Sequence, residues 1–212
     1  VEVVETLLKG GANFDRSTKK GTTALYLACQ QGHTEVVRKL IAAGAKIEAA
    51  LEGGETPLLI AVENGHADIV EALIQAGADQ ERPNLQGETP LWMACSKGRV
   101  AMVRGLLAAG ANINASDKTG LTPLHQVSSL GQVELVDVLL KAGANANRPS
   151  KTGRTPLCLA SMGGHQTVVN TLIAAGATME TPDSNGWTPL LVACHKGHHE
   201  VVERLLAAGA TI

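Results

Sequence analysis

Gly87–Gly98 reads GETPLWMACSKG. Thr89 offers a side-chain oxygen to the orphan amides at the start of a helix, and Pro90 at the first helical position loses no hydrogen bond. Apolar and small residues follow, and Gly98 stops the helix. Outward from this stretch the phrase returns every 33 residues: GTTAL at Gly21, GETPL at Gly54, GLTPL at Gly120, GRTPL at Gly153 and GWTPL at Gly186. A second glycine series, Gly32, Gly65, Gly98, Gly131, Gly164 and Gly197, keeps the same step. So do Gly-Ala pairs at Gly11, Gly44, Gly77, Gly110, Gly143, Gly176 and Gly209, without an insertion anywhere. Such a period decides the architecture before any single element is assigned.

A second helix lies between the second glycine and the Gly-Ala pair. Val36, Val37, Leu40 and Ile41, or Val201, Val202, Leu205 and Leu206, place a continuous apolar stripe along it. Glu35, Asp68, Glu134 and Glu200 sit near its start, where a negative charge suits the helix dipole. Gly44 and its equivalents supply the left-handed cap. An extended polar connector follows, carrying Pro83, Pro149 or Pro182 in some units.

These residues resemble the ankyrin repeat, whose signature includes Thr-Pro-Leu-His-x-Ala within a helix-turn-helix unit of 33 residues. The resemblance covers essentially the whole chain. It implies an all-α fold, a solenoid of stacked helix-turn-helix units with short β-turn or hairpin connectors. One array over 1–212 is expected, with a partial repeat at 1–17 that keeps only the second helix, VEVVETLLKGGA. Repeats are expected at 18–50, 51–83, 84–116, 117–149, 150–182 and 183–212. Two departures are local: Ala24 replaces the proline, and Gln126-Val127 stands where neighbouring units have Leu, Ile or Met followed by Ala.

Composition agrees with closely packed helices. Apolar residues make up 44% and aromatic residues only 2%, so the core is built of Ala, Leu, Val and Ile. One unit buries about half a dozen apolar side chains at about 1.5–3 kcal/mol each. Ordering its backbone costs about 1–2 kcal/mol per residue. A lone unit is therefore not expected to fold, whereas stacking buries both faces of each helix pair. Neither Val1–Leu8 nor Glu200–Ile212 reads as a polar capping repeat, and the sequence is expected to be a segment of a longer array or multidomain protein.

The stretch Ala193–Glu200, ACHKGHHE, looks like a metal site until the repeat register is applied. Cys194 shares its place with Cys29 and Cys95, where other units carry Val62, Ser128 and Ser161. All four cysteines, Cys158 included, are read as reduced packing thiols. His33, His66, His165 and His198 each follow the second turn glycine and are read as turn hydrogen-bonders. His195 and His199 have the spacing of a helical zinc pair, but Gly197 interrupts the helix between them. No metal or cofactor is expected. No phosphate loop, nucleophile elbow or carboxylate pair stands out, and the chain is not expected to be an enzyme.

In ankyrin-like arrays an extended concave face is lined by the turn tips and first helices. The resemblance therefore implies a protein-interaction module or scaffold using that face. Carried over unit by unit, the candidate binding residues are Tyr26, Gln30, Glu55, Glu63, Glu88, Trp92, Lys97, Leu121, Leu130, Arg154, Met162, Trp187, His195 and Lys196. Tyr and Trp are favoured as interface anchors. The alternative reading of each aromatic is packing between repeats. Glu52, Glu55, Glu63 and Glu88 lie in the early units, and Lys118, Lys151, Arg154 and Lys196 in the later ones. This pattern would suit a bipolar groove, or else ordinary solvated surface charge. The competing function is a structural spacer or regulatory segment of a larger protein.

The expected partner is a protein or peptide segment. A net charge of -2 gives no electrostatic footprint for nucleic acid, and no apolar run is long enough to span a bilayer. The chain is expected to be monomeric, intracellular and cytoplasmic.

Overall fold

The computed structural model describes Glu2, Thr6 and residues 10–211. Apart from Glu2 and Thr6, the second helix expected in the opening partial repeat lies outside the described residues. Twelve helices and no strand occur among the described residues. The first helices of the repeats are α1 (Ala24–Gln31), α3 (Pro57–Asn64), α5 (Pro90–Ser96), α7 (Pro123–Ser129), α9 (Pro156–Gly163) and α11 (Pro189–Lys196). The second helices are α2 (Thr34–Ala42), α4 (Ala67–Gln75), α6 (Val100–Ala108), α8 (Val133–Lys141), α10 (Gln166–Ala174) and α12 (His199–Ala207).

The first helices start as the sequence requires. Thr23, Thr56, Thr89, Thr122, Thr155 and Thr188 each accept the amide three residues on, at 3.2–3.5 Å. Such a cap is worth about 1 kcal/mol. Ala24 replaces proline without loss of the Thr23 cap. Of the Gln126-Val127 departure, Val127 is fully buried in the core and Gln126 is half-buried. The second helices bury their stripe, as in Ile69, Val70 and Leu73 of α4 or Val168, Val169 and Leu172 of α10. Gly44, at φ 87°, closes α2 in the left-handed conformation that side chains other than glycine rarely adopt.

The chain divides into two compact units, Val1–Ala94 with Ala101–Ala111, and Cys95–Val100 with Asn112–Ile212. In the first unit α1 packs on α3 and α2 on α4. In the second, α7, α9 and α11 pack in succession, and so do α8, α10 and α12. Within each unit, like helices therefore stack on like helices.

Polar ties repeat with the same period. In the connectors, side chains of Asp15 and Glu48 in the first unit, and Asn114, Asn147 and Glu180 in the second, accept backbone amides 31 residues later. The histidines after the turn glycine also bond between repeats. Nε2–H of His66 donates to the Gln30 carbonyl, that of His165 to Ser129, and that of His198 to Met162, at 2.9–3.3 Å. Each ring lies against the turn glycine of the preceding repeat. A Cβ on Gly164 would come within 2.7 Å of His198 Nδ1, so the glycine is needed for this approach as well as for its φ of 71°.

Candidate functional site

Each first helix is preceded by a tight hairpin tip. The backbone amide of Asn84 donates to the Glu88 carbonyl and that of Gly87 to the Asn84 carbonyl, and the same pair of bonds recurs at Thr18, Leu51, Asp117, Ser150 and Asp183. Where the leading residue is Asn or Asp, its side chain takes two more amides. Asn84 Oδ1 accepts from Gln86 and Glu88, Asp117 Oδ1 from Thr119 and Leu121, and Asp183 Oδ1 from Asn185 and Trp187. Adjacent tips are joined by Leu85 N–H to the Gly53 carbonyl in the first unit, and by Lys151 to Thr119 and Ser184 to Thr152 in the second. The tips are thus fixed platforms for the side chains they carry.

The second unit brings five of the sequence-predicted residues together. Arg154, Met162, Trp187, His195 and Lys196 line one cleft of about 240 Å³, with Asp183, Asn185 and Val192. Trp187 is 37% exposed. Its indole rests on the His195 imidazole, ring centroids 5.1 Å apart and planes tilted by 58°. Arg154 Nε donates to Asp183 Oδ2 at 3.3 Å, and the carboxylate side chain retains only 2% of its exposure. Burial works to raise the Asp183 pKa, but the amides of Asn185 and Trp187 and the Arg154 guanidinium outweigh it and hold the group below the usual carboxylate range.

Asp183 and Val192 were not singled out by sequence. A signal for Asp183 existed, since Asn84, Asp117 and Asp183 all stand three residues before a turn glycine. Behind Arg154, its backbone carbonyl accepts from Nε2–H of His125 at 3.0 Å. His125 Nδ1 accepts from the Thr122 backbone and hydroxyl at 3.2 and 2.8 Å, completing a capping box.

In the first unit the predicted aromatics turn inward. Tyr26 is 5% exposed and Trp92 8%, so both rings serve chiefly as packing and offer little area to a partner. Burial, followed by the nearby carboxylates of Glu55 and Glu63, pushes the Tyr26 phenol above its usual range. Glu55 and Glu63 are half-buried, as is Glu88, whose carboxylate accepts from Asn84 Nδ2 at 2.7 Å. Gln30, also half-buried, uses its carbonyl for His66. In the second unit Lys97 is exposed, Leu121 is half-buried and Leu130 is 47% exposed.

Family models for ankyrin repeats match three times, over residues 1–84, 77–150 and 124–212. The chain belongs to the ankyrin-repeat family. It is also similar to the crystal structure of the ankyrin repeat domain of Bcl-3, described as a unique member of the IkappaB protein family. That likeness has a TM-score of 0.85 at 31% identity and covers 97% of this chain and 91% of the other. No curated protein matches at a significant level. Ankyrin repeats are protein–protein interaction modules, and this chain is one.

Three of the four cysteines pack inside the ankyrin frame. Cys29, Cys95 and Cys158 are buried, and burial pushes their thiols up to about 12, 12 and 11. Cys194, read by register as a packing thiol, is instead exposed. It lies on α11. His195 and His199 fall on different helices, either side of the left-handed turn at Gly197. Among the described residues no three His, Cys, Asp or Glu side chains converge where they could hold a metal ion. No described helix is long and apolar enough to cross a membrane.

Proposed function

We propose that the chain recruits a protein or peptide segment through its hairpin tips and first helices, acting as a non-catalytic monomeric scaffold without a cofactor. The cleft at Trp187 is the observation that carries this reading. It gathers side chains the repeat frame does not demand: the positions of Arg154 and Trp187 hold Thr22, Glu55, Glu88 and Leu121 in other repeats. A half-exposed tryptophan held by a rigid tip is a ready anchor, giving large contact area at small entropic cost. A partner of nucleic acid is disfavoured by the net charge of -2. The buried, unpaired thiols of Cys29, Cys95 and Cys158 favour the reducing interior of a cell, and we assign the chain to the cytoplasm.

Affinity capture with the whole chain tests this. Trp187→Ala combined with Lys196→Glu should lose the captured protein while far-UV circular dichroism stays unchanged. Asp137→Lys with Glu203→Lys, on the second helices α8 and α12, should retain it. The opposite pattern, or equal capture by both variants as a passive spacer would give, overturns the proposal.

A further inference from the structure

We infer that the cleft at Trp187 receives an apolar side chain from an acidic peptide segment. This inference rests on the protein-binding reading of the same face and specifies the chemistry of the occupant.

Size argues first. At about 240 Å³ the cleft falls below the range of about 300–1,000 Å³ typical of small-molecule pockets. It suits one inserted side chain. Met162, Val192 and the exposed indole of Trp187 provide an apolar lining for it. The His195 ring lies against the indole, and the Asp183 side chain holds the Trp187 backbone amide before anything binds.

Charge argues second. Lys196 stands at the cleft, where Arg154 is paired with Asp183, while Lys118 and Lys151 are exposed on the two preceding tips of the same unit. The acids on these tips are bonded within the tips, Asp183 buried and Asp117 partly exposed. Asp117 is turned onto the amides of Thr119 and Leu121, and Asp183 onto two amides and Arg154. The other acids of the second unit, Glu134, Asp137, Glu180, Glu200 and Glu203, belong to second helices and connectors. The tip-and-first-helix face of this unit is therefore net positive although the chain is net negative. An anionic segment is drawn to it, and a basic one is repelled. Nucleic acid fits less well, because strand binding uses several stacking platforms along a basic groove, and here one aromatic is exposed.

The test uses the full chain. Its two tryptophans give two indole N–H signals in a 1H–15N spectrum, and Trp187→Phe identifies which belongs to Trp187. The probes are a glutamate-rich peptide with one central leucine, the same peptide with lysine for glutamate, the acidic peptide without leucine, and an oligothymidylate. The acidic leucine peptide should shift the Trp187 signal saturably and leave that of Trp92 in place. Lys196→Glu should weaken this binding roughly tenfold at low salt, and removal of the leucine should weaken it further.

No shift, equal binding of the lysine peptide or the oligothymidylate, or indifference to the leucine overturns the inference. If the acidic peptide fails while Trp187→Ala with Lys196→Glu still abolishes capture of the partner, the interaction reading stands and only the acidic occupant is wrong. If capture is also untouched, the interaction reading falls with it.

Discussion

His125 has both ring nitrogens engaged inside the fold, one with Thr122 and the other with the Arg154 carbonyl. Burial is the largest influence on it and lowers its pKa to about 4, against the carbonyl bond, which works the other way. The folded state thus holds it neutral while the unfolded chain takes up a proton near pH 6.5. More protons on the unfolded side mean that stability is full above about pH 6.5 and declines as pH falls toward 4, by about 3 kcal/mol in all. Urea unfolding at pH 7 and 4.5 should show this decline. His125→Leu, the residue found at the equivalent Leu59 and Leu191, should lose most of it.

Two glycines carry predictions of opposite sign. Gly105 sits within α6, and a Cβ there would meet nothing within 4 Å, so Gly105→Ala should raise stability by about 1 kcal/mol. Gly164→Ala should lower it by at least about 1–2 kcal/mol, through its positive φ and the His198 ring. Thermal melts of the two variants check both. At this scale the sequence was only partly legible. Register put Tyr26, Trp92 and Trp187 on one side of the repeat, but register does not say which way a ring turns. Tyr26 and Trp92 share a position with Leu59, His125, Cys158 and Leu191, and all of these but Leu191 are buried. Trp187 belongs to the tip position of Glu55, Glu88, Leu121 and Arg154, whose side chains all keep some contact with solvent, half-buried or exposed.

Among the elements, the hairpin tips decide how precisely that position is held. Asp117 Oδ1 accepts the Thr119 amide and hydroxyl and the Leu121 amide at 2.7–2.9 Å, whereas the tip led by Leu51 has no side-chain acceptor to offer. Asp117→Ala should therefore cost about 1 kcal/mol, a modest figure because the group is partly exposed. Amide hydrogen exchange at Thr119 and Leu121 should accelerate with it. Unchanged protection would show that the backbone bonds alone hold the tip. The helices were legible because a cap, a proline and a stop glycine recur at fixed spacing. Asp183 is hard to read from sequence because its role is to hold a loop, and loop bonding leaves no hydrophobic period.

For the molecule as a whole, apolar area and polar ties both run from repeat to repeat inside each unit. Residues 117–149 illustrate the dependence. Arg148 donates to the Asn114 carbonyl before them, His165 reaches back to Ser129, and Thr178 binds Asn147. Leu124, Val127, Leu135, Val136 and Leu139 are almost wholly buried, in helices packed on those of the following repeat. A period of 33 residues made this stacking legible in the sequence, while which exposed side chains form a cleft depends on how tips and helices of neighbouring repeats pack. Far-UV circular dichroism of a peptide spanning 117–149, heated beside the full chain, tests the stacking claim most directly. The account predicts a disordered peptide without a cooperative transition and a helical full chain that melts cooperatively. A peptide that is helical and melts cooperatively on its own would contradict it.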